Sequence, residues 1–486
     1  MMRMGEDAAP VDPAALWQEA RALGITGVTA DSRGVHPGDL FAALPGARQD
    51  GRRFIAEAVS RGAAAILAPE GTEWPPGVPP RPLLTDPEPR RRLALFAAAL
   101  AGRQPHCVIA VTGTNGKTST VDFLRQIWAL SGKAAASIGT LGLIAPGFPP
   151  GPGLTTPDPV TLAETLARIA QGGIRHAALE ASSHGLDQYR LDGVRLAAGG
   201  FSNLTRDHLD YHADMRAYRA AKLRLFDALL GPGAQAVFHT GLDPGTVSAL
   251  QDIARRRRLG LHSVGPHGTV IALRRAIPVA SGQVLQITCN GHDRAIDLPL
   301  AGLFQADNAL LAAGLAIAVG EPDVLDRLPL LTGVRGRMER VITLANGATA
   351  YVDYAHTPDA LERLLAALRP HTAGRLHVVF GAGGDRDPGK RPLMGAVACR
   401  LADAVIVTDD NPRSEDPARI RAAILAACHG AREIGDRAAA IASALNDLGP
   451  GDVLVVAGKG HEQGQIVEAT VLPFDDAAVL RDLTGA

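Results

Sequence analysis

The tract Thr112-Gly113-Thr114-Asn115-Gly116-Lys117-Thr118-Ser119 has residue types that could handle phosphate. It follows a short apolar run, His106 to Val111, that reads as a strand. It precedes a helical stripe of Val121, Leu124, Ile127 and Trp128. A glycine-rich turn lets backbone N–H groups approach phosphate oxygens, and the helix N-terminus behind it adds partial positive charge. Lys117 can reach the β- and γ-phosphates, and the Thr118 hydroxyl can ligate Mg²⁺. A standard P-loop has an earlier glycine where this chain has Val111. The competing reading is a structural glycine turn, and the spacing favours nucleotide binding over it.

Downstream, Ala177 to Glu180 reads as a strand ending in a carboxylate, just before Ala181-Ser182-Ser183-His184-Gly185. An acid at a strand end beside a phosphate loop can hold Mg²⁺, although most such glutamates are simply solvated. The tract from Asn203 to His212 contains Asp207, His208, Asp210 and His212. That resembles a hard-metal or phosphate site, but by spacing alone a polar loop is the better reading. A helix beginning near Asp214 carries Tyr218, Leu223 and Phe226, and with them Lys222.

Lysine is scarce here. Of the 49 basic residues only Lys117, Lys133, Lys222, Lys390 and Lys459 are not arginine. A lysine kept in such a chain is a candidate for a task arginine cannot perform. Buried lysine can lose its proton and act as a nucleophile. Lys222 reacting with CO₂ would become a carbamate, a carboxylate on a long arm and a plausible Mg²⁺ ligand. The bland reading is an exposed helix lysine.

Three later β-rich runs, Leu376 to Phe380, Ala404 to Thr408 and Val453 to Ala457, end in the loops GAGGDRD, DDNPR and GKGHE. In a parallel sheet these loops share the carboxyl edge, where α/β folds bind ligands. Arg391 and Arg413 follow two of them, and arginine offers a bidentate fork for carboxylates. With Asn411 and Glu462 they would suit a zwitterion carrying more than one carboxylate. The competing reading is surface ion pairs, worth little each.

These residues need elements to hold them, and the composition allows several domains. The chain has 486 residues, 46% hydrophobic and 20% charged, ordinary globular usage that excludes a largely disordered chain. A net charge of -1 gives no global field for nucleic acid or an acidic membrane. The runs Arg90–Arg92 and Arg255–Arg258 read as solvated faces. The N-terminus lacks the apolar core of a secretory signal, and no apolar stretch is long enough to span a bilayer. Cys107, Cys289, Cys399 and Cys428 are scattered, which predicts neither a zinc site nor a disulfide framework and fits a cytoplasmic protein. Leu40 to Leu44 and Ala64 to Ala68 read as strands around a helical stripe of Phe54, Ile55, Ala58 and Val59. Proline-rich stretches at 70–92 and 144–159 read as surface loop.

Taken in chain order, TGTNGKTS, EASSHGL, NLTRDHLDYH, YRAAKLRLF, GRMERV, VDYAHTPDAL, GGDRDPGKRPLMG, TDDNPR and AGKGHE resemble the Mur ligases over nearly the whole chain. The resemblance implies an α/β architecture of three domains. Residues 1–104 would form a small UDP-binding α/β domain. Residues 105–332 would form a central P-loop ATPase-like domain with a parallel sheet, and 333–486 a Rossmann-like domain for an amino acid. It implies an ATP- and Mg²⁺-dependent ligase of peptidoglycan precursor synthesis, a cytoplasmic monomer with no nucleic-acid or membrane partner. The D-Glu γ-carboxylate of UDP-MurNAc-L-Ala-D-Glu would be phosphorylated by ATP. The amine of meso-diaminopimelate would then attack the acyl phosphate. The alternatives are the same ligation with L-lysine, or a nucleotide-binding regulator without catalysis.

Carried over position by position, the resemblance implies the following roles. Gly113, Thr114, Asn115, Gly116, Lys117, Thr118 and Ser119 cradle phosphates, and Asn308, Arg337, Asp353 and His356 belong with the nucleotide. Lys117, Glu180, His208 and Lys222 are catalytic; Thr118, Glu180, His208 and carbamylated Lys222 hold the cations. Ser32, Ala47, Arg48, Gln49, Thr155, Thr156, Ser182, Gln188 and Arg190 contact the UDP-muramoyl dipeptide. Arg391, Asp410, Asn411, Pro412, Arg413, Gly458 and Glu462 form the acceptor pocket. The DNPR tract is the version associated with diaminopimelate, whose second carboxylate Arg413 can pair; lysine has none.

Overall fold

The computed structural model describes residues 13–46, 49–149, 151 and 153–485. The chain divides into two compact units. The first runs to Ser263 and includes Gly314–Pro322; the second comprises Val264–Ala313 and Asp323–Ala486.

The first unit opens with a parallel four-stranded sheet in the order Gly27–Thr29, Asp39–Ala42, Ala65–Pro69, Leu83–Asp86. Alternate residues of its strands point to opposite faces. Leu40, Ala42, Ala65 and Leu67 pack with Leu16, Leu93 and Phe96, whereas Phe41, Ile66 and Ala68 pack with Ile55, Ala58 and Val59. The proline-rich stretch read as loop contains the strand Leu83–Asp86 and the start of the helix Pro89–Ala101. Pro89 sits in the first helical turn, where a missing N–H costs nothing. That helix also corrects the reading of its arginines as a solvated face. Arg91 pairs with Asp192 at 3.3 Å, and Arg92 with Glu19 at 2.6 Å and Asp86 at 3.2 Å.

The same unit holds a parallel sheet in the order Leu230–His239, Leu196–Phe201, Cys107–Thr112, His176–Glu180, Ala135–Gly139, edged by antiparallel Gly142–Ile144. Val111 is in register with Glu180 and Thr112 with Phe201. The loops leaving these strands therefore start side by side. The helix Lys117–Leu130 buries Val121, Leu124, Ile127 and Trp128, as its periodicity predicts.

In the second unit, Ile271–Val279, Gly282–Cys289 and His292–Leu298 form an antiparallel meander that the sequence reading did not anticipate. A six-stranded sheet follows in the order Glu339–Thr343, Thr349–Asp353, Val453–Ala457, Leu376–Phe380, Ala404–Val407, Arg432–Glu433, parallel except at its first pair. Its central strand is covered on both faces, Val453, Val455 and Ala457 on one and Leu454 and Val456 on the other. This explains its unbroken apolar run. Asp353, Ala457, Phe380 and Val407 are in mutual register, so four loops leave one carboxyl edge together.

Cys399 and Cys428 form a disulfide between the helix Lys390–Leu401 and the turn after Pro417–Leu425, against the expectation of none. Helix packing brings together two cysteines whose spacing carried no signal. Arg437 and Asp476 form a fully buried ion pair, with Nε–Oδ1 at 2.7 Å and Nη2–Oδ2 at 2.8 Å. Arg437 also donates to the carbonyls of Ala457 at 3.0 Å and Asp409 at 3.3 Å, tying two strand ends. Asp476→Ala would strand that guanidinium and is expected to destabilise the unit by about 3–5 kcal/mol. Urea unfolding of the full chain would show it. Arg437→Met with Asp476→Leu should recover part of the loss, and an unchanged midpoint in Asp476→Ala would refute the assignment.

Among the described residues, no helix is long and apolar enough to cross a membrane.

Candidate active site

The phosphate-type loop is built by a strand it does not belong to. Gly113 has φ +147°, and a Cβ there would lie 1.9 Å from Ser202 Oγ. Only glycine permits that approach. Ser202 Oγ donates to the Asn115 carbonyl at 2.6 Å. Asn203 accepts from Thr114 N through its main-chain oxygen and from Asn115 N through Oδ1, both at 2.9 Å. The loop is thus clamped by the protein's own contacts. Lys117 Nζ donates to the carbonyls of Gly113 at 3.0 Å and Thr114 at 2.8 Å. Thr118 and Ser119 lie in the first turn of the helix that follows.

Lys222 comes to the same place. Its side chain is buried, and Nζ donates to the Gly113 carbonyl at 2.7 Å. Two lysines therefore share one carbonyl oxygen. Burial first, and then the neighbouring Lys117, push the Lys222 amine well below the ordinary lysine range. A neutral amine at this point could take up CO₂. Tyr218 lies one helical turn earlier, with its ring 4.4 Å from Lys222 Nζ and its hydroxyl donating to Thr114 Oγ1 at 3.2 Å. Burial pushes that phenol up to about 12, so it stays a donor. Its i,i+4 spacing to Lys222 was the available signal for a paired role.

Glu180 ends its strand buried, and accepts from Thr140 N at 2.7 Å and Thr140 Oγ1 at 3.2 Å. Its own carbonyl accepts from Thr156 Oγ1 at 2.8 Å. Around it the structure gathers five residues assigned to the dipeptide. Thr155 Oγ1 lies 3.1 Å from Thr140 Oγ1, and Thr156 Oγ1 is 3.0 Å from Ser182 Oγ. Arg190 donates to the Thr156 carbonyl at 2.6 Å and to Gln188 Oε1 at 2.8 Å. Ser32 is not part of this network and donates to Glu57 at 2.8 Å. Gln49 is exposed, and Ala47 and Arg48 lie outside the described residues.

His208 is exposed and belongs to a ring cluster that the sequence reading did not single out. His184 packs edge-on to it with centroids 5.0 Å apart, Tyr211 lies 4.0 Å from His184, and His212 lies 5.3 Å from Tyr218. Burial, with the neighbouring imidazoles, holds His184 below the usual histidine value. Among the described residues, no three His, Cys, Asp or Glu side chains converge on one point. The donor chemistry still fits Mg²⁺, which typically takes one or two protein carboxylates and completes its shell with substrate phosphates and water. Glu180 and a carbamate on Lys222 are such donors, and His208 stands in the adjoining tract.

The second unit holds the remaining candidates. Asp353 accepts from Met338 N at 2.7 Å and Ala355 N at 2.8 Å, and burial pushes its carboxyl up. Asn308 donates to Gln305 Oε1 at 3.1 Å, and Gln305 donates to the Arg337 carbonyl at 3.0 Å. The Arg337 guanidinium lies 4.7 Å from the Tyr354 ring, which also contacts His356 at 4.6 Å and His461 at 5.1 Å. The cluster joins four residues with flat π surfaces, Tyr354 meeting His356 edge-on and His461 at a tilt. Tyr354 and His461 were missed because only the finished fold brings their loops together.

The acceptor candidates gather at the carboxyl edge. Asp410, Asn411 and Pro412 are buried, and Asn411 Nδ2 donates to Glu462 Oε2 at 2.9 Å. Gly458 has φ +117°, and a Cβ there would come within 2.5 Å of Asp410 Oδ2. Arg391 and Arg413 share the GAGGDRD loop. Arg391 Nη2 pairs with Glu415 at 2.8 Å, and Arg413 Nη1 donates to the Gly384 carbonyl at 2.8 Å. The Arg391 Nε–H is buried without a partner. Glu415 was not foreseen; it occupies Arg391 as an incoming carboxylate would.

Comparisons with known proteins agree with this architecture. Family models match residues 24–88 (Mur ligase family, catalytic domain), 111–316 (Mur ligase middle domain) and 336–460 (Mur ligase, glutamate ligase domain). A curated protein of Caulobacter vibrioides, named UDP-N-acetylmuramoyl-L-alanyl-D-glutamate--2,6-diaminopimelate ligase, is 57% identical over 470 residues, covering 95% of this chain and 96% of its own. One of the same name from Agrobacterium fabrum is 52% identical, covering 96% and 94%. A solved structure of a protein of that name superposes with a TM-score of 0.72 at 33% identity, covering 95% of each chain. The chain belongs to the Mur ligase family.

Proposed function

We propose that this chain is an ATP-dependent ligase joining meso-2,6-diaminopimelate to the D-Glu γ-carboxylate of UDP-MurNAc-L-Ala-D-Glu in peptidoglycan precursor synthesis. Domains 1–104, 105–332 and 333–486 would take the UDP moiety, ATP and the amino acid in turn, and the enzyme would work as a cytoplasmic monomer. The observation that carries the choice of acceptor is the pair of guanidinium groups, Arg391 and Arg413, that donate to adjacent carbonyls of one loop, Gly383 and Gly384, with Asn411 two residues before Arg413 and bonded to Glu462. Two carboxylates on one acceptor match the two guanidinium groups, and its second amino group, as an ammonium, matches Glu462.

The γ-carboxylate attacks the γ-phosphorus of ATP and ADP leaves. The acceptor amine then attacks the acyl phosphate carbonyl, and the tetrahedral intermediate expels phosphate. Both first-step partners are anions, so positive charge must be supplied where they meet. Bound Mg²⁺ would neutralise phosphate charge. The loop N–H groups and Lys117 bind the phosphates, and Glu180, His208 and carbamylated Lys222 would hold the cations. Thr155, Thr156, Ser182, Gln188 and Arg190 orient the dipeptide. Asn308, Arg337, Asp353 and His356 serve the nucleotide.

Phosphate release from ATP in the presence of UDP-MurNAc-L-Ala-D-Glu tests the reading. Release should require meso-diaminopimelate, with L-lysine giving little. Release with lysine instead would overturn the pocket, and release with neither would favour a non-catalytic regulator.

A further inference from the structure

Lys459 is a scarce lysine to which the reading above gives no task. It lies in the loop after the strand Val453–Ala457, and its side chain is wholly buried. Its Nζ donates to Asn411 Oδ1 at 2.9 Å. The same oxygen accepts from Ile466 N at 2.9 Å. Asn411 Nδ2 in turn donates to Glu462 Oε2 at 2.9 Å, and that oxygen lies 3.5 Å from Lys459 Nζ. The Glu462 side chain is 35% exposed.

An asparagine amide can ordinarily sit either way round. Here it cannot. A flip would turn its NH₂ toward an ammonium and a backbone N–H, setting donor against donor and leaving the buried ammonium only the Glu462 oxygen 3.5 Å away, which is costly. Oδ1 must face Lys459, so Nδ2 must face Glu462. The buried cation thereby decides where a partly exposed carboxylate points.

We propose that Lys459 is a positioning residue for the acceptor: it locks the Asn411 amide, which holds the Glu462 carboxylate aimed at an ammonium group of the incoming amino acid. The inference rests on the acceptor-pocket reading above. It also explains the residue type. A compact ammonium can fit beside one amide oxygen in closed space, whereas the planar guanidinium brings five N–H donors that would all need acceptors.

The test is steady-state kinetics on the full-length enzyme with ATP, UDP-MurNAc-L-Ala-D-Glu and meso-diaminopimelate, each varied in turn. Lys459→Met should raise KM for diaminopimelate at least tenfold and leave KM for ATP within twofold. Glu462→Gln should act in the same direction. The double variant should be no worse than the worse single one, because both remove one chain of contacts. Multiplying effects, or an equal rise in both KM values, would mean that Lys459 is merely structural and would overturn the proposal. A normal diaminopimelate KM in Lys459→Met with a raised one in Glu462→Gln would sink the relay and spare the pocket. A normal value in Glu462→Gln would sink the pocket reading and the relay with it. Should Lys459→Met fail to fold, Asn411→Asp carries the test. It keeps an acceptor for Lys459 and removes the donor to Glu462, so the same tenfold rise is expected and its absence overturns the proposal.

Discussion

Lys222→Ala is expected to lose on the order of 10³-fold in turnover, the scale on which one preorganised charge contributes to catalysis. Short-chain carboxylates added to that variant are expected to restore part of the loss. Two lysines share one carbonyl, with Lys117 Nζ at 3.0 Å and Lys222 Nζ at 2.7 Å from Gly113 O. Two full positive charges so close, one of them buried, would be costly. Burial first, and then Lys117, push the Lys222 amine well below the ordinary lysine range. A neutral amine attacks CO₂, forming an N–C bond and releasing a proton, and the product is an anion. The site would thereby trade a second cation for a carboxylate able to hold Mg²⁺. Lys222→Arg separates this from a role for lysine as a simple cation. Arginine keeps the charge but cannot form the carbamate, so it should be as inactive as alanine. Full activity in Lys222→Ala, or in Lys222→Arg, would end the carbamate reading.

The nucleotide half of this site was legible because its signals are local. Gly113 to Ser119 announces a turn and a helix start, and Tyr218 and Lys222 share one helix face by spacing alone. The parallel strands ending in Val407 and Ala457 could be read from their unbroken apolar runs, and those ending in Glu180 and Phe380 from nearly apolar ones, as a sheet buried on both faces permits. The clamp of Asn203 on Asn115 was not legible, because it joins residues 88 apart through the sheet register. The Arg391–Glu415 pair and the Cys399–Cys428 bond share this character: each depends on two helices or loops first packing side by side. Lys459 is intermediate. Its scarcity marked it as worth attention, but its partner Asn411 lies 48 residues away, across the sheet edge. The meander at 271–298 was missed for another reason. Its first and last strands alternate only weakly between buried and exposed positions.

Arg413→Ala is expected to raise KM for meso-diaminopimelate roughly 100-fold, the loss of about 3 kcal/mol for an interfacial charge pair. KM for ATP should stay near that of the parent enzyme. The backbone of Arg413 is held from both sides, its N–H donating to the Ile466 carbonyl at 3.0 Å and its carbonyl accepting from Glu468 N at 2.7 Å. It is held at φ +51°, a left-handed conformation that an arginine seldom adopts. Strain of this kind at a non-glycine residue persists when the surrounding structure fixes it, and it is often found at ligand sites. One guanidinium nitrogen is committed to the Gly384 carbonyl at 2.8 Å, which aims the remaining fork. Arg413→Gly tells side chain from backbone. Glycine accepts the φ without strain and has no guanidinium, so if the charge is what matters it should be as poor as alanine. Arg413→Lys should recover little, since an ammonium cannot form the two-pronged pair. Discrimination against L-lysine should fall with the same substitutions, because the lost interaction is one that lysine never made. A diaminopimelate KM unchanged in both Arg413→Ala and Arg413→Gly would show that the acceptor's second carboxylate is bound elsewhere, and Arg391 with its unpartnered Nε–H would be the next group to test.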